Sequence, residues 1–181
     1  MRIVAGRWRG RTLQSPTWDG LRPTSDRLRE TLFNILAPAV EAARVLDGYA
    51  GTGAIGIEAL SRGAAHVTFV ERDPRAVRLI EANLAALGPA RADDRAFIRA
   101  EVADAAARLV GEPFDVIIVD PPYARDAAAA ALAAVRMLVG PATRVVVEHA
   151  SRHAAPREVE ELRLQRTVKA GDSALSFYER A

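Results

Sequence analysis

Four consecutive residues, Asp120-Pro121-Pro122-Tyr123, hold the most pointed chemistry in this chain. They follow the run Phe114-Asp115-Val116-Ile117-Ile118-Val119, rich in β-branched residues, and two prolines cannot extend a sheet. The run predicts a buried strand with Asp120 at its carboxyl end, where open α/β sheets bind ligands. Each proline fixes its own φ, and Pro122 also restricts Pro121, so the turn is stiff. A carboxylate, the Pro121 carbonyl and the Tyr123 ring can then converge on one small planar group. That set suits a flipped-out nucleobase held by its exocyclic amine. The plainer alternative is a strand end with a rigid turn and a packing tyrosine.

A second set lies upstream. In Asp47-Gly48-Tyr49-Ala50-Gly51-Thr52-Gly53-Ala54-Ile55-Gly56, the glycines at 51, 53 and 56 satisfy G-x-G-x-x-G, and Glu71 follows 20 residues after Gly51. Glycines let the backbone turn sharply and approach a ligand, while Glu71 can accept both hydroxyls of a ribose. This implies an adenosine-containing cofactor. A dinucleotide would rest its pyrophosphate on the helix N-terminus, where Asp47 would be an adverse neighbour. S-adenosylmethionine instead brings an ammonium and a sulfonium, so Asp47 favours the methyl donor. The cofactor-binding candidates are Asp47, Gly48, Gly51, Gly53, Glu71, Arg72, Asp104 and Asp120. Asp104 could accept from the adenine amino group or simply cap a helix.

The elements that must position these groups alternate from Arg44 onward. Predicted strands are Val45–Tyr49, His66–Glu71, Ala96–Val102, Phe114–Asp120 and Arg144–Glu148. Predicted helices are Ala54–Ser61, Pro74–Leu87, a short one near Asp104–Leu109, and Ala127–Val139. Asp73 as N-cap, Pro74 at N1 and Gly88 beyond the end mark the second of these. Such alternation means βαβ units and a mostly parallel sheet covered on both faces. The tail, Leu162–Val168 and Leu175–Tyr178 around Gly171-Asp172, reads as an antiparallel hairpin closing one sheet edge. An earlier helix begins after Thr24 or Ser25 and is expected to end at Pro38. Residues 1–23 read as a separate basic arm, a short β-hairpin outside the main core, and residues 24–181 as the catalytic domain.

The chain has 181 residues, half of them apolar, enough for one domain with a substantial core. Its longest all-apolar run, Ala127 to Val135, is too short to span a bilayer, and the amino terminus has no hydrophobic signal core. A cytoplasmic protein without a membrane partner is expected. The absence of cysteine removes disulfides, thiolate metal sites and cysteine nucleophiles, and three histidines offer no ligand set, so no metal is expected. Net charge is +2, yet residues 1–29 hold seven arginines against Asp19 and Asp26. A basic end on a mildly acidic body suggests an acidic partner meeting one face.

The order of these features, glycine loop, acidic ribose partner, third turn and D-P-P-Y, resembles class I methyltransferases that modify exocyclic amines. Four longer segments narrow the likeness: Arg22-Pro23-Thr24-Ser25-Asp26-Arg27, Leu46-Asp47-Gly48-Tyr49-Ala50-Gly51-Thr52-Gly53, Glu58-Ala59-Leu60-Ser61-Arg62-Gly63-Ala64 and Val119-Asp120-Pro121-Pro122-Tyr123. With the opening Arg2-Ile3-Val4-Ala5-Gly6-Arg7-Trp8-Arg9-Gly10-Arg11, they are similar to the bacterial 16S ribosomal RNA guanine-N2 methyltransferases over essentially the whole chain. The resemblance implies a Rossmann-like fold with a mostly parallel seven-stranded sheet, S-adenosylmethionine as cofactor, and 16S rRNA in the assembling 30S subunit as partner. It makes the protein a monomeric enzyme with Asp120, Pro121, Pro122 and Tyr123 catalytic. In such enzymes Asp120 and the Pro121 carbonyl accept the two amino hydrogens while Tyr123 stacks on the base. Arg2, Arg7, Trp8, Arg9, Arg11 and Arg22 become the RNA-binding candidates. The residues alone leave open an adenine-N6 or cytosine-N4 methyltransferase, an NAD-dependent dehydrogenase, and a non-catalytic RNA-binding module.

Overall fold

The computed structural model describes residues 1–19, 24–88 and 93–181. Helix α1 (Asp26–Val40) precedes strand β1 (Arg44–Gly48), helix α2 (Ala54–Ser61), β2 (His66–Val70), α3 (Pro74–Ala86) and β3 (Arg95–Ile98). Then come α4 (Val102–Arg108), β4 (Val116–Val119), α5 (Ala127–Val135) with a 3₁₀ turn over Arg136–Leu138, β5 (Arg144–Ala150), β6 (Glu158–Val159), β7 (Leu162–Ala170) and β8 (Ser173–Arg180). They form one eight-stranded sheet in the order β3-β2-β1-β4-β5-β8-β7-β6. The first five strands in that order are parallel and the last three pair antiparallel. The predicted terminal hairpin exists, but β8 inserts beside β5, so β7 and the two-residue β6, not anticipated from sequence, extend the sheet outward.

Strand periodicity explains the two layers. In β4, Val116 and Ile118 join a core with α1, α2 and α3, whereas Ile117 and Val119 join a second core with α4 and α5. Alternate side chains of one strand thus serve opposite faces, and both faces are covered, which is why β4 reads as an unbroken apolar run.

Several limits differ from expectation. The helix over residues 26–40 runs through Pro38 instead of ending there. Pro38 lacks an N–H for the Asn34 carbonyl, but Leu36 and Val40, four apart and both buried, hold the last turn on the core. Strands β3 and β4 stop earlier than predicted, and α5 tightens into the 3₁₀ turn before Val139.

The amino-terminal arm is not outside the core. Arg2 and Thr12 form an isolated antiparallel bridge, as a hairpin would, but Ile3 and Leu13 are buried in the same cluster as Leu28 and Phe33. A buried carboxylate explains the docking. Glu58 on α2 accepts the Val4 N–H at 2.8 Å and the Ala5 N–H at 2.9 Å. It also pairs with Arg62 at 2.8 Å and with Arg29 at 3.6 Å. Arg29, itself fully buried, bonds Asp26 at 2.9 Å and donates to the Arg2 carbonyl. Ser61 adds its Oγ to the Ala5 carbonyl, and Asn83 exchanges two bonds with Gln14. Edge groups of the arm are thereby satisfied by helix side chains rather than by a sheet.

Candidate active site

Strand order reverses between β1 and β4, since β2 leaves β1 on one side and β4 arrives on the other. Ligands of open α/β sheets bind beyond the carboxyl ends at such a point. Here Gly48, Val70, Val119 and Val147 lie in one register row across β1, β2, β4 and β5. The residues immediately after that row are Tyr49, Glu71, Asp120 and Glu148. All four line one crevice of about 740 Å³, a size suited to a cofactor-scale ligand.

One end of the crevice is the glycine loop. Gly51 and Gly53 sit at positive φ, 54° and 74°, and Gly53 precedes α2 as its N-cap. A Cβ on Gly56 would lie 2.2 Å from Phe69 Cε1, so this third glycine permits α2 to pack on β2. Glu71 closes the loop from the next strand, its Oε2 accepting from Gly51 N–H and its Oε1 from Asp73 N–H, each at 2.8 Å. A carboxylate has further acceptor capacity after two such bonds, so ribose binding remains compatible with this clasp. Arg72 lies at the rim, exposed and paired to Glu101 at 2.8 Å. Tyr49 takes a left-handed φ of 62°, an unusual state for a bulky residue, and its side chain lines the crevice. Burial raises its phenol above the usual range, and Glu101 adds to the rise.

Asp47 and Asp104 are placed differently from expectation. Asp47 is buried behind the loop, not in the crevice lining, where it accepts the Gly56 N–H at 2.8 Å. Burial pushes its carboxyl up to about 8, with the Gly56 N–H opposing and the Glu71 charge assisting. Its service is to shape the loop, so the charge contrast drawn between a pyrophosphate and a sulfonium does not hold at this residue. Gly48 likewise ends β1 out of the lining, its backbone crowded by Val119. Asp104 lies exposed within α4, past the Glu101 N-cap, and Ala100, Glu101 and Val102 line the crevice in its place. The predicted third strand ran four residues too far and so displaced the turn.

The other end is D-P-P-Y. The Asp120 N–H bonds the Gly48 carbonyl at 3.2 Å, which extends the β1–β4 ladder by one step and holds the carboxylate at the strand edge. Pro121, Pro122 and Tyr123 all reach the crevice. Tyr123 is half-buried, and its hydroxyl lies 2.6 Å from Glu148 Oε1 and 2.6 Å from Ser173 Oγ. Since a phenol has one proton, Tyr123 donates to the carboxylate and Ser173 donates to Tyr123. Burial, and then the bond to Glu148, hold this phenol well above its usual range. Thr24 Oγ1 stands 3.4 Å from Asp120 Oδ2 and 3.4 Å from Glu148 Oε2, so its single proton lies between the two acids, shared at the far limit of hydrogen bonding.

Sequence reasoning passed over Glu148, Ser173, Thr24 and Tyr49. Glu148 carried a usable signal, a carboxylate closing the predicted β-branched run Arg144–Glu148, although β5 itself continues to Ala150. Ser173 had none, because only the β5–β8 pairing brings it to the site.

The candidate RNA-contacting residues of the arm stay at the surface around this docked segment. Arg2, Arg7, Arg9 and Arg11 are exposed, and Arg22 falls outside the described residues. Arg11 donates to the Ala86 carbonyl at 2.8 Å, and Arg7 lies 3.7 Å from Asp94. The Arg7 guanidinium stacks 4.0 Å above the ring of Trp8, which is partly buried and packs against the core. Met1 Sδ is 3.8 Å from Thr52 Oγ1, so the arm begins beside the glycine loop.

Comparison with known proteins places this geometry. The chain is 45% identical over 125 residues to the ribosomal RNA small subunit methyltransferase D of Escherichia coli strain K12, and 43% identical over 124 residues to its namesake in Haemophilus influenzae. Those matches take in 69% and 68% of this chain but span only 61% and 64% of the relatives. A solved Escherichia coli structure matches 99% of this chain and 97% of its own length, with a TM-score of 0.85 and 37% identity. The rRNA methyltransferase aviRa from Streptomyces viridochromogenes shares the fold at a TM-score of 0.70 and 18% identity. The sheet order, the switch-point crevice and these likenesses make the fold that of class I methyltransferases. A family model described as conserved hypothetical protein 95 matches residues 1–179, and the chain belongs to that family.

Proposed function

We propose that this protein is an S-adenosylmethionine-dependent methyltransferase acting on the exocyclic N2 amine of a guanine in 16S rRNA, as a monomer in the cytoplasm, with the assembling 30S subunit as its substrate. The observation that carries the reading is the register row, which sets Glu71 and Asp120 at two ends of one crevice over the strand-order reversal. The names of the Escherichia coli and Haemophilus influenzae relatives supply the RNA class.

The residues present fit the cofactor. Glu71 offers acceptors for ribose hydroxyls, Ala100 and Val102 with Val70 offer an apolar wall for a purine, and the α2 N-terminus offers N–H groups for a carboxylate. When bound, S-adenosylmethionine supplies an electrophilic methyl on a sulfonium. Asp120 and the Pro121 carbonyl accept the amine's two hydrogens and so turn its lone pair out of ring conjugation. The amine becomes acidic only after transfer, so no strong base is needed, and the chain's contribution is positioning and fixed charge. The exposed arginines of the arm suit phosphate contacts, which orient RNA without reading its sequence.

The test is methylation of small subunits isolated from cells lacking the protein, with isotope-labelled cofactor and mass analysis of the nucleosides. N2-methylguanosine should appear with the wild-type protein. Asp120→Ala should lower the rate by roughly 10²–10³-fold, the cost of one lost contact in a preorganised site, with binding of S-adenosylhomocysteine little changed. Wild-type turnover by Asp120→Ala, or labelling of no base, would defeat the reading.

A further inference from the structure

Glu148 has no part in the chemistry above, yet it is the most enclosed charged group on the nucleobase side of the crevice. It is 4% exposed, lines the cavity, and follows Val147, which pairs in register with Val119. Asp120 and Glu148 therefore occupy equivalent positions on neighbouring parallel strands, about 4.8 Å apart at the backbone. The Ser173–Tyr123–Glu148 chain, with both links at 2.6 Å, fixes the acid's orientation. Thr24 Oγ1, 3.4 Å from an oxygen of each acid, shows that the two carboxylates face a common space.

Two acceptor-only groups side by side call for two adjacent donors. Among the four RNA bases, guanine alone presents an exocyclic amine next to a ring N–H, at N2 and N1. Adenine sets its N6 amine beside a bare N1, and cytosine sets its N4 amine beside a bare N3. Each of those lone pairs would meet the Glu148 carboxylate head-on. From this match we infer that Glu148 selects the target base, its carboxylate accepting guanine N1–H while Asp120 holds the neighbouring N2 amine. The inference rests on the methyltransferase reading and deepens it, because Asp120 by itself accepts any exocyclic amine. Glu148 is thus a specificity residue. A carboxylate oxygen can take more than one donor, so the contacts from Tyr123 and Thr24 leave capacity for the base.

The probe is 2-aminopurine, which keeps the exocyclic 2-amine but has a bare N1. Small subunits are reconstituted on 16S rRNA that carries either guanine or 2-aminopurine at the nucleotide the protein methylates, mapped beforehand by mass spectrometry. The wild-type protein should prefer guanine by about 10²-fold, the discrimination expected when a buried polar group loses its partner. Glu148→Gln replaces an acceptor-only group by an amide that can donate to the bare N1. Its preference should shrink to within about tenfold, with S-adenosylhomocysteine binding within about twofold of wild type. A role confined to holding Tyr123 predicts that Glu148→Gln slows both substrates equally. An unchanged guanine preference in that variant, with N2-methylguanosine still the wild-type product, overturns this inference alone. A wild-type product of N6-methyladenosine or N4-methylcytidine overturns both it and the proposed substrate.

Discussion

Truncating Glu58 to alanine should unseat the amino-terminal arm, and the structure sets the scale of the loss. Glu58 is fully buried, receives the Val4 and Ala5 N–H groups at 2.8 and 2.9 Å, and faces the equally buried Arg29 at 3.6 Å. Without Glu58 the buried Arg29 guanidinium keeps only the half-exposed Asp26 as a carboxylate partner, so the cost approaches that of breaking a buried pair, about 3–5 kcal/mol. The orphaned N–H groups add nothing further if the arm peels away and finds water. Domain stabilities run to about 5–15 kcal/mol, so the variant should be marginal. For a chain of this size each kcal/mol shifts the midpoint by about 2–4 °C, giving a fall of roughly 6–20 °C. Thermal and urea unfolding followed by circular dichroism would measure it, with limited proteolysis between residues 1 and 19 as a local probe. The matched control changes Arg7, Arg9 and Arg11 together to Gln. These side chains are exposed, so that variant should stay within about 1 kcal/mol of wild type. Its RNA affinity should instead flatten in salt dependence by about 0.7–0.9 log units per lost phosphate contact. A Glu58→Ala protein as stable as wild type would refute the clasp. So would a triple-Gln variant that loses as much stability. Because Ile3 is a core residue and the Val4 and Ala5 N–H groups satisfy Glu58, deleting residues 1–11 removes part of the fold and cannot isolate an RNA contact.

Three further outcomes are expected. Glu71→Ala should weaken S-adenosylmethionine by about 1.5–3 kcal/mol in calorimetry, and an unchanged affinity would leave Glu71 only as the clasp for Gly51 and Asp73. Asp47 titrates near 8 when folded against an ordinary 3.8, so the cofactor-free native state holds a proton that the unfolded chain releases in between. Stability from this group is then full near pH 4 and is lost as pH rises towards 8. Asp47→Asn should gain on wild type between pH 5 and pH 8 in urea unfolding, and an equal difference at both pH values would disprove it. Gly56→Ala puts a methyl 2.2 Å from the Phe69 ring, and overpacking should cost about 1–3 kcal/mol, whereas a neutral result would mean that α2 slides freely on β2.

Local chemistry sufficed for much of this protein. Asp73-Pro74 opens α3 as a capped helix because an N-cap oxygen and a proline at N1 act within one turn. β4 was legible as a buried strand because its four residues pack on both faces. The glycine loop, Glu71 and the D-P-P-Y edge were legible as well, since each is a strand end with its own turn chemistry. What sequence could not determine depends on groups far apart in the chain. Glu58 meets Val4 across 54 positions, and Tyr123 meets Ser173 across 50. No periodicity signals such bonds, because a helix or strand pattern reports only which face is apolar. The basic arm looked separable for that reason, and Asp47 looked like a ligand until packing turned it behind its loop. The pairing of Asp120 with Glu148 belongs to the same class. Each acid is visible as the end of a β-branched run in the sequence, but only the parallel register of β4 and β5 makes them neighbours over one crevice.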